Sequence, residues 1–272
     1  MAIANKESLV TAGHVIMAAA KASGSTILPI DSEHNAIFQA WTTNNPDEIE
    51  SITLTASGGP FLTKPLGEFA DITPSQAIKH PNWSMGAKVS IDSATMMNKG
   101  LEVIEAAVLF GLPETRVKAL IHPTSVVHGM VHYHDGTTLA QLGPADMRVP
   151  ISYAMAWPQR LNWHQEPLDL VRLSGLEFFE PEDKRFPCLA LARQAIRAEG
   201  LAPTILNAAN EMAVEYFLKG QIGFLDIPAL NTHMLNIIDS PAAAGLDDIL
   251  AMDQEVRAKC EEWQHHATGA SA

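Results

Sequence analysis

The chain has 272 residues, 47% of them hydrophobic and 18% charged, which is enough apolar content to bury a core and too little charge for a disordered tail. Its 31 acidic and 18 basic side chains leave a formal net charge of −13, a surface that repels phosphate backbones and argues against nucleic acid as a partner. Cys188 and Cys260 cannot build a disulfide framework, no apolar run reaches membrane-spanning length, and the N-terminus lacks a signal-peptide pattern; the expectation is an acidic cytoplasmic protein that keeps off membranes.

In chain order, residues 5–22 carry an Ala-rich helical pattern with Val10, Val15 or Ile16, and Ala19 on one face, and Gly24 ends it. Residues 26–30 read as a short buried strand. A lone helix and strand cannot close a core, so this piece is expected to lean on something else. Helix over 35–41, strand over 49–56, and one long helix over 92–110 capped by Gly111 come next. Strands are expected over 117–121, 126–133 and 137–142, the last two joined at Asp135-Gly136, a strong hairpin signal. Residues 157–182, with Pro158, Pro167 and Pro181 and little periodicity, read as a connector. Helices over 184–198, 203–220, 226–238 and 246–263 then suggest a small four-helix bundle, with a frayed tail from 264 onward. The fold class is α/β (α+β): a catalytic domain with a mixed sheet, followed by an all-α C-terminal unit.

Several polar groups could carry chemistry. If the strand geometry continues past Ile30, Asp31 and Glu33 share a face, and two carboxylates at a strand end suit Mg²⁺ or Mn²⁺; the competing reading is a plain helix start, and spacing alone favours it. Ser57-Gly58-Gly59 after a strand could form an anion-binding nest or an ordinary turn. Asn98, Lys99 and Glu102 share one helical face, and Gly100 between them costs about 1 kcal/mol relative to Ala, which points to a close approach there. The loop from His80 through Trp83 to Gly86 could be a lid, with Trp83 over a ligand, or Trp83 could merely anchor it. His122, His128, His132 and His134 gather around one hairpin, but without cysteine they read as solvated or core histidines rather than a zinc site.

Taken together, Ala4-Asn5-Lys6-Glu7-Ser8-Leu9-Val10, the run from Leu28 to Gln39, Ser57-Gly58-Gly59-Pro60-Phe61, the His80–Gly86 loop, Met96-Met97-Asn98-Lys99-Gly100-Leu101-Glu102 and Leu206-Asn207-Ala208-Ala209-Asn210-Glu211 closely resemble the 1-deoxy-D-xylulose 5-phosphate reductoisomerase family, in the family's order and from Ala4 to about Trp263. The resemblance implies an NADPH- and metal-dependent enzyme of non-mevalonate isoprenoid biosynthesis that forms 2-C-methyl-D-erythritol 4-phosphate, with Mn²⁺ or Mg²⁺ (Co²⁺ as a further option), a phosphorylated sugar substrate and a homodimer. It implies Asp31, Glu33 and Glu102 as metal ligands, and Lys6, Glu33 and His80 in catalytic roles. Lys6, Ser32 and Glu33 would lie against the sugar, and Ser57, His80, Ser93, Asn98, Lys99 and Glu102 would hold the rest of the substrate beneath Trp83. Asn5, Glu7 and Gly86 would border the NADPH site, and His34 would stand behind the ligands.

The family begins with an NADPH-binding domain carrying a Gly-rich turn, and no such turn occurs here. The resemblance therefore implies a truncated form: residues 1–30 as a remnant of that domain, 31–156 as the catalytic domain with a lid near 74–88, 157–182 as connector and 183–272 as the helical domain. Such a chain is expected to bind metal and phosphosugar while being impaired in reduction, and its first 30 residues are expected to be mobile for want of partners. The alternatives are a non-catalytic dimerising fragment, or metal-dependent aldolase-like cleavage without reduction.

Overall fold

The computed structural model describes residues 1–243 and 245–269. It opens with strand β1 (Ala2–Ile3), helix α1 (Lys6–Ser23) and strand β2 (Leu28–Pro29), followed at once by helix α2 (Ser32–Ala40). Asn5 starts α1 by accepting the Ser8 N–H, and Gly24, in the left-handed region, ends it. β1 and β2 pair in parallel, and Ile3, Leu9, Ala20 and Ile27 form a small core against Val108 and Leu109. The N-terminal stretch expected to lack partners thus has one, because Gly13 lets α1 approach Val108 closely.

Strand β3 (Ile49–Ala56) is followed by helices α3 (Pro74–Ala77), α4 (Ala87–Ala94) and α5 (Met97–Phe110), then by strands β4 (Val117–Ile121), β5 (Val127–Tyr133) and β6 (Thr138–Leu142). The sheet runs β4-β3-β5-β6, with β3 parallel to β4 and antiparallel to β5. β5 and β6 form the expected hairpin, with Gly136 of the turn at φ 86°. Ile37 and Ala40 of α2 and Val103 and Ala106 of α5 bury the face that Ile52, Leu54, Val117 and Val131 present.

The long helix expected over 92–110 is instead two. Met96 takes φ 60°, a left-handed conformation that a helix interior cannot hold, and Thr95 Oγ1 accepts the Met97 N–H to restart the chain as α5. Of the two readings of Asp31 and Glu33, the structure shows the helix start that spacing favours, not the continuing strand. Asp31 sits at the N-cap of α2 and Glu33 in its first turn, where the negative charge suits the helix dipole.

Helices α6 (Arg148–Ala156) and α7 (Leu170–Leu173) flank and interrupt the connector, and both go beyond the sequence expectation. The four expected C-terminal helices are α8 (Pro187–Ala198), α9 (Ala202–Leu218), α10 (Asp226–Ile237) and α11 (Leu246–Gly269), the last running beyond residue 264; residues 270–272 of the expected tail lie outside the described residues. Ile205, Ala209, Met212 and Tyr216 are buried together as their spacing requires. This core is continuous with Phe61, Phe69 and Ile91, while α8 packs on α5 through Met97, Leu101, Ile104, Cys188 and Ala192. Gly100 marks that crossing: a Cβ there would stand 2.6 Å from Ala192 Cβ. Among the described residues no helix is long and apolar enough to cross a membrane.

Candidate active site

A cavity of about 270 Å³ opens where α1, α2, α4, α5 and the loop after β3 converge. Each element delivers its polar groups from a terminus. The first turn of α1 supplies Lys6, the β2–α2 junction Asp31, Ser32 and Glu33, the end of α4 Ser93, and the first turns of α5 Asn98, Lys99 and Glu102. The break at Met96 is what aims Ser93 and Asn98 into one space, since in a continuous helix residues five apart lie on different faces.

The floor of the cavity holds three carboxylates and two ammonium groups. Lys6 Nζ lies 2.6 Å from Asp31 Oδ2 and 3.0 Å from Glu102 Oε1, and it donates to Asn98 Oδ1 at 2.8 Å. Lys99 Nζ donates to Glu33 Oε1 at 2.8 Å and pairs with Glu102 Oε2. Burial opposes the charge on both lysines, but the carboxylates outweigh it and hold both above the ordinary lysine range, Lys6 well above it. Burial also works against Asp31, yet Lys6 and His34 bring its carboxyl well below the usual range. Glu102 goes the other way: burial first, then the Glu33 carboxylate, push it up to about 7 against the pull of Lys6 and Lys99.

Asp31, Glu33 and Glu102 each offer one oxygen within 4.8 Å of the others, a set that fits a hard divalent cation such as Mg²⁺ or Mn²⁺. The same carboxylates are held by Lys6 and Lys99, so a divalent ion bound there competes with two ammonium groups for them. Among the described residues the hairpin histidines form no metal-binding group. His122 bonds the Glu177 carbonyl and Thr124, and His132 bridges Thr53 and Thr138. His128 lines the cavity, with its ring 6.1 Å from that of Trp83.

The cavity also holds a cradle of neutral donors. Ser57 Oγ accepts from the Gly59 N–H at 3.1 Å and is 2.8 Å from His80 Nε2. His80 Nδ1 accepts the N–H groups of Asn82 and Trp83, so Nε2 carries the hydrogen and donates to Ser57, leaving the Ser57 hydroxyl hydrogen free to point elsewhere. Burial lowers the His80 pKa, which favours that neutral ring. Gly58 and Gly59 both have positive φ, and a Cβ on Gly59 would meet the Ser93 carbonyl at 2.8 Å, so this turn requires glycine.

The structure therefore brings together Lys6, Asp31, Ser32, Glu33, Ser57, His80, Trp83, Ser93, Asn98, Lys99 and Glu102 around one cavity. Asn5, Glu7 and Gly86 stand aside from its lining: Asn5 caps α1, Glu7 pairs with Lys88 at 2.8 Å, and Gly86 precedes α4. Ser125, with φ 52°, and Met147 line the cavity and were missed, because neither belongs to a motif and both arrive by tertiary folding.

Two family descriptions match the chain: "1-deoxy-D-xylulose 5-phosphate reductoisomerase C-terminal domain" over residues 27–110 and "DXP reductoisomerase C-terminal domain" over residues 142–259. The 1-deoxy-D-xylulose 5-phosphate reductoisomerase of Pseudomonas aeruginosa (strain PAO1) is 52% identical over 266 residues, covering 96% of this chain and 67% of the relative. That of Zymomonas mobilis is 51% identical over 257 residues, covering 94% and 66%. The chain thus spans about two thirds of the length of these relatives. Among solved structures, the Zymomonas mobilis enzyme in complex with NADPH superposes with a TM-score of 0.92 at 47% identity, covering 97% of this chain and 68% of that one. A DOX-P reductoisomerase in complex with NADPH, fosmidomycin and magnesium gives 0.92 at 45% identity, covering 98% and 70%. With identity of this level along nearly its whole length, the chain belongs to the 1-deoxy-D-xylulose 5-phosphate reductoisomerase family.

Proposed function

We propose that this chain carries the metal- and phosphosugar-binding part of reductoisomerase chemistry, the NADPH-dependent rearrangement and reduction of 1-deoxy-D-xylulose 5-phosphate to 2-C-methyl-D-erythritol 4-phosphate. One observation carries the reading: a hard-oxygen cation set and a cradle of neutral donors line a single cavity. Asp31, Glu33 and Glu102 would hold the cation, Mg²⁺ or Mn²⁺ by the chemistry of the donors, with Co²⁺ tolerated. When bound, it supplies Lewis-acid stabilisation of the oxyanion that develops as the carbon–carbon bond breaks.

The protein groups have separable tasks. Lys6, hydrogen-bonded to Asn98, stands beside the metal ligands, where it can donate to a sugar hydroxyl or carbonyl oxygen. Ser57, Ser93, Asn98 and the neutral His80 offer donors that suit a phosphate, with Lys99 as a cation in the same lining. Ser32, which donates to Glu33 Oε2 at 2.6 Å, is placed to orient that carboxylate. The segment 74–88 acts as the lid: Asn82 Nδ2 ties it to the Pro123 carbonyl at 2.6 Å, and Trp83, which lines the cavity, would help exclude water while fragments are held together. Asn5, Glu7 and Gly86 border the side from which NADPH would approach. The chain divides at residues 31–156, 157–182 and 183–272 as catalytic unit, connector and helical unit. It acts as a homodimer, supported by the edge position of β6 and by exposed Met155, Leu170 and Val171 in and beside the connector.

The test is a thermal-shift titration with 1-deoxy-D-xylulose 5-phosphate, in Mn²⁺ and again in EDTA. A ligand at about 100 times its Kd stabilises by about 2.7 kcal/mol. The expected result is a shift that needs the metal and is lost in Asp31→Asn. A shift of equal size in EDTA, or none in either buffer, would refute the reading.

A further inference from the structure

Glu105 has no part in the chemistry described above. It lies three residues beyond Glu102 on α5, on the same helical face, and its side chain is 2% exposed. Its Oε2 has no hydrogen-bond partner, and a buried carboxylate oxygen left so is costly enough to need a reason. The group it faces is His34, whose Nδ1 is 3.5 Å away and is likewise without a hydrogen bond.

The imidazole of His34 is held by two contacts and faces two carboxylates with its remaining nitrogen. Its Nε2 donates to the main-chain carbonyl of Glu102 at 3.0 Å; a carbonyl can only accept, so Nε2 carries a hydrogen. The ring stacks on Phe110, with centroids 6.4 Å apart and planes 4° from parallel. Nδ1 then looks into the gap between Glu105 Oε2 and Asp31 Oδ2, the latter 3.9 Å distant. One side chain thereby spans two of the three carboxylate residues offered to a cation: Asp31 through Nδ1 and the backbone of Glu102 through Nε2.

We propose that Glu105 is a positioning residue: acting through His34, it fixes Asp31 and the α5 backbone at Glu102 so that their oxygens meet at the cation. This rests on the metal-binding reading above. Partners standing behind ligating groups typically contribute about 10–100-fold to metal affinity, although they touch no metal.

The test is calorimetric titration of Mn²⁺ into EDTA-stripped protein, comparing wild type, Glu105→Gln, His34→Gln and the double variant, with circular dichroism and melting in EDTA as the check on folding. The expected result is a Kd weaker by about tenfold or more in Glu105→Gln with a native spectrum, and a double variant no weaker than His34→Gln alone. A Kd in Glu105→Gln equal to wild type overturns the proposal, as do losses in the two single variants that simply add. If Glu105→Gln does not fold, Glu105→Asp carries the same test: weakened Mn²⁺ binding on a native spectrum supports the role, and wild-type affinity overturns it. Wild-type protein that takes up no Mn²⁺ refutes the metal reading itself, whereas wild-type uptake with unchanged affinity in the Glu105 variants refutes the role of Glu105 alone.

Discussion

Replacing Lys99 by Met tests the electrostatics of the cavity floor most sharply. Met fills nearly the same volume, so packing is kept while one of the two ammonium groups is removed. Lys99 is 2% exposed, Glu102 is 0% exposed, and Lys99 pairs with both Glu33 and Glu102. Stripping one partner from a buried ion pair costs about 3–5 kcal/mol, because the remaining charge stays desolvated. In urea denaturation with EDTA, Lys99→Met is therefore expected to lose about 3 kcal/mol or more on the alkaline side of neutrality. The loss should shrink on acidification, since Glu102, already raised to about 7 and raised further without Lys99, then takes up a proton. Mn²⁺ should return much of the stability, as a cation at 100 times its Kd contributes about 2.7 kcal/mol. A variant within about 1 kcal/mol of wild type in EDTA, with no added benefit from Mn²⁺, would refute the reasoning.

The remaining predictions test the pH linkage, a helix crossing, the cysteines and a buried polar chain. Glu102 and Glu105, both pushed up to about 7 by burial, bind protons more tightly folded than unfolded. The stability Glu102 contributes in EDTA should therefore be lost as pH rises from about 4.5 through about 7, read as a difference in pH slope between wild type and Glu102→Gln, because His80, His128 and His132, lowered by burial, contribute with the opposite sign in both proteins; equal slopes would contradict it. Gly100→Ala should destabilise by roughly 1–2 kcal/mol in urea, overpacking against Ala192 exceeding the gain in helix propensity, and a more stable variant would count against the α5–α8 contact. Burial pushes both the Cys188 and Cys260 thiols up to about 12, so neither should react with a thiol reagent before unfolding; rapid native-state labelling of either would show otherwise. Asn210→Leu leaves buried Asp92 without the 2.7 Å bond from Asn210 Nδ2 and should cost about 1–3 kcal/mol in denaturant unfolding, against no change if that bond contributes nothing.

Much of this architecture is legible in the sequence where local chemistry and tertiary packing agree. The Asp135-Gly136 hairpin, the Gly111 and Gly24 caps and the apolar row Ile205, Ala209, Met212 and Tyr216 of α9 are all local signals, and the structure carries them at the expected positions, although α9 is buried nearly all round. Gly100 was legible for the same reason: a glycine in a helix interior implies something close, here Ala192. The break at Met96 was not, because methionine is a good helix former and its left-handed backbone is imposed by tertiary fit; the Thr95 hydroxyl was the one local trace. Helix α6 was obscured by Pro150, which sits in its first turn where proline is tolerated. For the site, spacing joined Asn98, Lys99 and Glu102 on one face and favoured the helix start at Asp31 and Glu33, which by itself carried no hint of a cation. It could not see that Lys6, some 90 residues away in sequence, would reach Asn98 and Glu102. Long-range convergence of that kind leaves no local period, and resemblance to a family supplied it instead.

The central claim is that Asp31, Glu33 and Glu102 together hold one divalent cation. The most direct measurement is the paramagnetic resonance signal of free Mn²⁺ in titrations of the EDTA-stripped chain, of Asp31→Asn and of Glu102→Gln, each checked for a native circular dichroism spectrum. The account predicts saturable uptake of one Mn²⁺ per chain by wild type and its loss in both folded variants. Undiminished uptake by Asp31→Asn and Glu102→Gln would place the cation elsewhere and contradict the account.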